Sequence, residues 1–190
     1  AEGLGSAATT EEHDMGSLRS LLCAAAVATT PGLAGAAEAV AVLIDTEGRQ
    51  VGTVHFMDTA SGTIRIAIEA EGLPAGELAI HVHETGDCSV PDFASAGGHL
   101  SLGHQHGVMA EGGPHPGDLP NLHVGDDGAV AVEYFTDRIS LAADAGTTVF
   151  DADGSAVVIH TGADDYSSQP SGNAGDRFAC GVIEAPEAAE

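Results

Sequence analysis

The chain has 190 residues, enough for one domain with a sizeable core, and a formal net charge of −24 because 29 acidic residues stand against 5 basic ones. All five are arginines and lysine is absent, which excludes a nucleic-acid-binding protein and electrostatic docking to anionic lipid, since both need a basic surface. A hydrophobic content of 43% excludes a disordered chain, and 26 glycines with 8 prolines predict a turn-rich β protein.

The acidic excess has two interpretations. It can be an ordinary solvated surface that keeps a secreted protein soluble. The absence of lysine favours the other interpretation, which is adaptation to high salt. At about 1 M ionic strength the Debye length is only ~3 Å, so that repulsion among surface carboxylates is largely screened.

The N-terminal part of the chain predicts export to the periplasm, the cell surface or the medium. Residues 1–14 are small and polar, and we expect them to form a disordered extension. Residues 15–36 combine one arginine, a short apolar run and small residues, which is typical of a secretory signal peptide, an alanine-rich linker being the alternative. The run is too short to span a membrane. We expect no lipid anchor on Cys23, because the residues before it do not resemble a lipoprotein cleavage site.

Eight short strands are predicted in a folded domain at 37–186, which is followed by an acidic tail at 187–190. Short apolar runs between turn residues, with clear period-two alternation at 63–68, place the strands at 39–44, 51–56, 63–68, 77–84, 122–124, 129–135, 156–160 and 178–183. A stretch of about 35 residues after Glu84 and a second one at 161–176 lack this pattern. Irregular stretches this long are usually functional. The pattern predicts an all-β Greek-key barrel or sandwich.

Six of the ten histidines lie between positions 81 and 115. His81 and His83 are two residues apart on a predicted strand and therefore point to the same face, where both can bind one metal ion. The irregular stretch adds five further candidate ligands, which are His99, His104, His106, His115 and Asp118. Nitrogen and oxygen ligands without a thiolate suit zinc.

Three other histidines are not expected in this cluster. His55 and His123 are interpreted as structural residues, and His13 belongs to the leader region. His160 ends a predicted strand, and a lone histidine at such a place is by itself more typical of a structural residue. Export predicts an oxidising compartment, in which Cys88 and Cys180 are expected to be bonded rather than free.

Several blocks of the sequence resemble the copper/zinc superoxide dismutases. The resemblance covers about residues 38–184 and is carried by the runs His-Val-His-Glu at 81–84, Ala-Gly-Gly-His at 96–99, His-Gly at 106–107, Gly-Pro-His-Pro-Gly-Asp-Leu at 113–119, Val-Ile-His at 158–160 and Arg-Phe-Ala-Cys-Gly-Val at 177–182. It implies an eight-stranded Greek-key β-barrel with long metal-binding and electrostatic loops. The implied activity is dismutation of superoxide to oxygen and hydrogen peroxide, by copper that cycles between Cu(II) and Cu(I).

The resemblance also implies a set of metal ligands. Copper would be bound by His81, His83, His99 and His160. Zinc would be bound by His99, His106, His115 and Asp118. His99 would therefore bridge the two metals, and the family mechanism has it leave copper and take up a proton during turnover.

Three further roles follow from the resemblance. Asp164 matches the carboxylate that hydrogen-bonds one ligand imidazole from each metal. Arg177 matches the residue that guides and holds superoxide beside copper. Cys88 and Cys180 match the disulfide that ties the metal-binding loop to the last strand.

The sequence departs from the family in two places. One residue is missing before the zinc histidine, so that His104 competes with His106 for that position; Gly107 and the nine-residue step to His115 favour His106. Lysines that attract superoxide in the family are absent, and we therefore predict activity that tolerates salt. The alternative function is a non-catalytic metal-binding module or copper carrier on the same fold. A homodimer is an open possibility.

Overall fold

The computed structural model describes Gly3 and residues 37–186. The predicted extension and signal peptide, with His13 and Cys23, lie outside the described residues except for Gly3, and so does the acidic tail at 187–190. Within the described part, no helix is long and apolar enough to cross a membrane.

Residues 37–186 form an all-β domain, as the sequence predicted. Nine strands follow one another, which are β1 (Glu38–Asp45), β2 (Gln50–Asp58), β3 (Ile64–Ala70), β4 (Gly76–Leu78), β5 (Ile80–His83), β6 (Leu122–Val124), β7 (Val130–Thr136), β8 (Ala156–His160) and β9 (Arg177–Glu184). A short 3-10 helix covers Ala94–Ala96. All eight predicted strands are present, and the ninth arises because the predicted strand at 77–84 is divided.

The division falls at Ala79, where the chain bonds to a different part of the domain. The Ala79 N–H donates to the carbonyl of Gly162 (2.8 Å), and its own carbonyl accepts from His160 (2.9 Å). β4 pairs with β6 before this point, and β5 pairs with β8 after it. The break therefore lets one chain segment join two sheets.

Every pairing between the named strands is antiparallel, and the sheet is curled around one core. Seven strands lie in the order β5-β8-β9-β1-β2-β3-β7, and β4 and β6 form a separate pair. Alternation in β1 and β3 buries every second side chain, which is the pattern expected of strands with one face on the core. Leu43, Phe56, Ile66, Ile68 and Leu122 are among the fully buried residues. Burial of this apolar surface is the main favourable contribution to folding.

Two long connections cross the same end of the domain. The long loop, residues 84–121, joins β5 to β6, and the second loop, residues 161–176, joins β8 to β9. The long loop returns along the free edge of β5: Leu100 N donates to the carbonyl of Val82 (2.9 Å), and Val82 N donates to the carbonyl of Gly117 (2.8 Å). Because its backbone pairs with β5 in this way, the loop carries its own side chains next to those of the strand.

The predicted disulfide between Cys88 and Cys180 is present and ties the long loop to β9. The two Cα atoms are 5.6 Å apart across a separation of 92 residues. Closure of a loop of this length is expected to stabilise the fold by roughly 4 to 5 kcal/mol in the chain-entropy estimate. Cys180 is also buried in a small apolar cluster with Phe93, Ala96 and Val158, which holds the start of the long loop against the sheet.

Candidate metal centre

Four buried imidazole nitrogens at the edge of β5 have no hydrogen-bond partner. Within residues 37–186 only one other buried side-chain polar atom, Ser155 Oγ, shares this property. The four side chains offer ligand atoms within 4.8 Å of one another. An unpaired polar atom in a protein interior is costly, and four of them converging on one point indicate a binding site for an ion. The four nitrogens are His81 Nδ1, His83 Nε2, His99 Nε2 and His160 Nε2.

The other nitrogen of each ring is held by an acceptor. His81 Nε2 donates to Asp164 Oδ2 (2.9 Å), His83 Nδ1 to the carbonyl of Gly97 (3.1 Å), and His160 Nδ1 to the carbonyl of Gly175 (3.3 Å). A neutral imidazole has one N–H, and that N–H is used in these bonds. The remaining nitrogen therefore carries a free lone pair, which is the state a metal ligand needs.

Burial keeps three of these rings, His81, His83 and His160, neutral. It lowers the pKa of His81 to about 4 and the pKa of His160 to about 3. Burial also lowers the pKa of His83, and the positive charge of Arg177 acts in the same direction. Protons therefore do not compete for the three lone pairs at neutral pH. Four converging imidazole nitrogens are a donor set that suits copper.

A second cluster surrounds a single carboxylate oxygen. Asp118 Oδ1 lies 3.1 Å from His99 Nδ1, 3.0 Å from His106 Nδ1 and 3.2 Å from His115 Nδ1. His81 also lies within 4.8 Å of this group. We assign His81 to the first cluster, because its Nε2 is bonded to Asp164 and its Nδ1 is one of the four unpaired nitrogens.

The three imidazole nitrogens and the carboxylate oxygen are better explained as the ligands of a tetrahedral ion than as a set of hydrogen bonds. His106 contacts Asp118 through Nδ1 and Asp164 Oδ1 through Nε2 (2.9 Å), although a neutral ring can donate to only one of them. With an ion at Nδ1, the single N–H stays on Nε2 and both contacts are satisfied. This donor set is typical of zinc.

Asp118 is held in its ionised form by its neighbours. Burial raises the pKa of this carboxyl, but hydrogen bonds from His99 and from the backbone N–H of Gly107 outweigh burial and hold the pKa below its ordinary value. The second oxygen, Oδ2, accepts from the N–H of Gly107 (2.8 Å) and of His115 (3.0 Å). Oδ1 is thereby left to face the three imidazoles.

His99 belongs to both clusters. Its Nδ1 faces Asp118, and its Nε2 is one of the four unpaired nitrogens. The ring lies 3.9 Å from the ring of His81, measured between centroids. The backbone of His99 forms a bridge with His83, which fixes the position of the ring between the clusters.

Asp164 joins the two clusters from the second loop. Its Oδ2 accepts from His81 and its Oδ1 contacts His106, so that one buried carboxylate orients one ring of each cluster. Gly172 lies directly over this contact with a φ of +67°, and a Cβ there would be 1.9 Å from Asp164 Oδ1. Only glycine fits, because both the space and the backbone conformation exclude a side chain.

Arg177 lies beside the first cluster at the start of β9. Its guanidinium donates to the carbonyl of Phe93 and to the carbonyl of Gly97 (2.5 Å), and the latter also accepts from His83. Arg177 lines a cleft of about 590 Å³ whose other polar groups include Asp92 and Asp176. The two carbonyl contacts therefore hold a fixed cation beside His83.

The structure brings together all the predicted ligands and leaves out the other histidines. His104 is exposed, two residues before the buried His106. His55 is exposed on β2, and the exposed His123 lies 3.3 Å from Glu77. These three side chains are not part of either cluster.

Asn121 was missed in the sequence. It is buried just before β6, where its Oδ1 accepts from the N–H of Asp164 (2.9 Å) and its Nδ2 donates to the carbonyl of Asp164 (2.9 Å). Tyr166 and Tyr134 bond through their hydroxyls to the backbone of Asn121 (2.8 and 2.9 Å). One asparagine in a loop carries no periodic or spacing signal, so only the fold reveals this contact.

The sequence is similar to proteins of one known family. The family profile described as copper/zinc superoxide dismutase (SODC) matches residues 50–183. The protein named superoxide dismutase [Cu-Zn] 2 of Aquifex aeolicus is 45% identical over 148 residues, which cover 77% of this chain and 86% of that protein.

Solved structures give the same result. A superoxide dismutase-like protein from Bacillus subtilis superposes with a TM-score of 0.73 at 40% identity, over 75% of this chain and 96% of that one. The Cu/Zn superoxide dismutase of Brucella abortus superposes with a TM-score of 0.61 at 29% identity, over 77% and 99%. The curled antiparallel fold described above is shared with both.

Proposed function

This chain belongs to the copper/zinc superoxide dismutase family, and we propose from its geometry which residues perform the reaction. It is an oxidoreductase that converts superoxide to oxygen and hydrogen peroxide with copper and zinc as cofactors. Copper is held by His81, His83, His99 and His160. Zinc is held by His99, His106, His115 and Asp118.

The observation that carries this proposal is the set of four unpaired nitrogens. Each belongs to a buried ring whose other nitrogen is already bonded, as with His83 on the carbonyl of Gly97. A hydrogen-bonded core of histidines would leave no such atoms, because buried polar groups are nearly always paired. The zinc assignment is supported by the three Nδ1 atoms around Asp118 Oδ1.

The residues of the chain then have separate tasks. When bound, copper supplies one-electron oxidation and reduction, and zinc supplies a fixed positive charge. Arg177, which shares the carbonyl of Gly97 with His83, binds the superoxide anion next to that ring and orients it through its planar guanidinium. His99 Nε2, when it is not engaged as a ligand, would hold one proton for the peroxide product, and solvent supplies the second proton of hydrogen peroxide. Asp164 holds His81 and His106 in the orientation that both metals need.

Export is a second part of the proposal. It is supported by the apolar run at 21–28 and by the Cys88–Cys180 disulfide, since disulfides persist mainly in oxidising compartments. Adaptation to salt is supported by the net charge of −24 without lysine.

The test is cyanide-sensitive decay of superoxide by the chain loaded with copper and zinc, measured in molar KCl. Fast decay is expected, and it should be lost in His160→Ala, which removes one copper ligand. The exposed His123→Ala serves as the matched control and should retain activity. Absence of decay in a protein that has bound both metals would favour a metal-binding module or copper carrier instead.

A further inference from the structure

Gln169 in the second loop bonds to the backbone of His106 in the long loop. The N–H of His106 donates to Gln169 Oε1 (2.9 Å), and Gln169 Nε2 donates to the carbonyl of His106 (2.9 Å). The same Nε2 also donates to the carbonyl of Ser167 (3.1 Å). One side-chain amide thus pairs with both backbone groups of a single residue, as a neighbouring strand would.

The two loops are in close contact around this point. Gly107 has a φ of +86°, and a Cβ there would be 2.0 Å from the carbonyl oxygen of Tyr166. That oxygen accepts from the N–H of Met109 (3.0 Å). The segment that follows His106 therefore lies directly on the second loop, and Gln169 fixes its position along that loop.

His106 is consequently held twice by the second loop. Asp164 Oδ1 holds the ring at Nε2 (2.9 Å), and Gln169 holds the backbone. Two points of attachment are needed to place Nδ1, because the ring can rotate about its side-chain bonds unless both the backbone and the far nitrogen are fixed. Nδ1 then lies 3.0 Å from Asp118 Oδ1.

We propose that Gln169 is a positioning residue that keeps His106, and not His104, as the zinc ligand of the long loop. The inference rests on the proposed function, in which zinc is bound at Asp118. His104 is exposed and only two residues away, so a small shift of the loop would bring it toward the site. The reciprocal bonds to Gln169 oppose that shift, because they form only with His106 in its present place. Gln169 is exposed and has no contact with either metal cluster except through His106.

The experiment measures zinc release from the copper- and zinc-loaded chain to a colorimetric chelator. In Gln169→Ala we expect release about ten to a hundred times faster, the range found when outer partners of metal ligands are removed. Gln169→Glu keeps the acceptor for the His106 N–H but loses the donor, and an intermediate rate is expected. The matched control is Ser168→Ala, which removes a hydroxyl contact to Asn173 within the same loop and should release zinc at the parent rate.

Cobalt(II) bound in place of zinc gives a readout of ligand geometry. Its visible absorption should change shape in Gln169→Ala and keep the parent shape in Ser168→Ala. In the double variant Gln169→Ala with His104→Ala the altered component should disappear, since His104 can no longer enter the site. Circular dichroism of the metal-free proteins checks that all variants share one fold.

Two results overturn the inference and are distinguishable from each other. Parent-like zinc release and cobalt absorption in Gln169→Ala would show that His106 needs no help from Gln169, while the zinc site itself stands. If the parent chain takes up no zinc, or if His106→Ala retains it, the assignment of the ligands fails and the role of Gln169 fails with it.

Discussion

Asn121 pairs through both atoms of its side-chain amide with the backbone of Asp164, at 2.9 Å on each side. Asp164 is the carboxylate that joins His81 to His106. Asn121 is itself fixed by the hydroxyls of Tyr134 and Tyr166. The position of the Asp164 carboxylate between the two metal sites therefore depends on Asn121, an uncharged residue that bonds to none of the proposed metal ligands.

Replacement of Asn121 should lower stability and metal affinity together. Asn121→Ala leaves the N–H and carbonyl of Asp164 buried without partners, and we expect a loss of about 2 to 3 kcal/mol in the free energy of unfolding. Urea unfolding of the metal-free, oxidised protein measures this loss. Ser61→Ala, which removes an exposed hydroxyl contact, should change stability by less than about 0.5 kcal/mol. Equal stability of the two variants would mean that the Asn121–Asp164 pair has no energetic role.

The two neighbouring histidines of the long loop should behave differently on mutation. His106→Ala removes a buried ring from the Asp118 cluster, and the purified protein should contain much less than one zinc per chain. His104→Ala removes an exposed ring and should leave the zinc content at the parent value. Elemental analysis after dialysis gives both numbers. The ligand assignment is refuted by the reverse pattern.

Arg177 should act on the substrate and not on the metals. Arg177→Ala removes the fixed cation from the cleft, and we expect kcat/KM to fall about a hundred-fold, as when one electrostatic donor is removed from an active site. Arg177→Lys should recover only part of the activity, because a lysine keeps the charge but lacks the planar fork of donors that bonds to the carbonyls of Phe93 and Gly97 and still faces the substrate. Copper content and the Cu(II) absorption should stay near parent values. A variant with unchanged kcat/KM would exclude this role.

Activity should be unusually tolerant of salt. The net charge of −24 repels superoxide over long distances, and Asp92 and Asp176 lie in the same cleft as Arg177. At about 1 M salt the screening length falls to ~3 Å, which removes the distant repulsion more than the contact with Arg177. Pulse-radiolysis rates from low to molar KCl are expected to hold steady or rise. A steep fall over this range would contradict the prediction.

Tyr134 should make stability fall at alkaline pH. Burial raises the pKa of this phenol to about 12, with a further contribution from Tyr166. A raised pKa in the folded state means that the contribution to stability is complete below the unfolded value of about 10 and is lost as the pH rises toward 12. Tyrosinate absorbance of the parent minus that of Tyr134→Phe isolates this ionisation. An ionisation centred near pH 10 in the folded protein would refute it.

Local patterns in the sequence were sufficient for most of the fold. Short apolar runs between turn residues located every strand, including β6 at 122–124 and β8 at 156–160 with the bounds that the structure has. They did not predict the break at Ala79, since the hydrogen bonds that cause it come from Gly162 and His160, which are about 80 residues away. A hydrogen bond between residues so far apart in the sequence does not change the local pattern of apolar and polar residues.

For the metal centre, the sequence by itself determined the types of ligand, through the spacing of His81 and His83 and the cluster of imidazoles and one carboxylate between 99 and 118. It favoured His106 over His104, through Gly107 and the nine-residue step to His115, but it did not show which of the two rings is buried. Only the tertiary structure buries one and exposes the other. The second loop decides between them, because its residues Asp164, Gln169 and Gly172 lie against His106. These residues are about 60 positions from His106 in the sequence. They meet it only once β5, β8 and β9 have brought the two loops together.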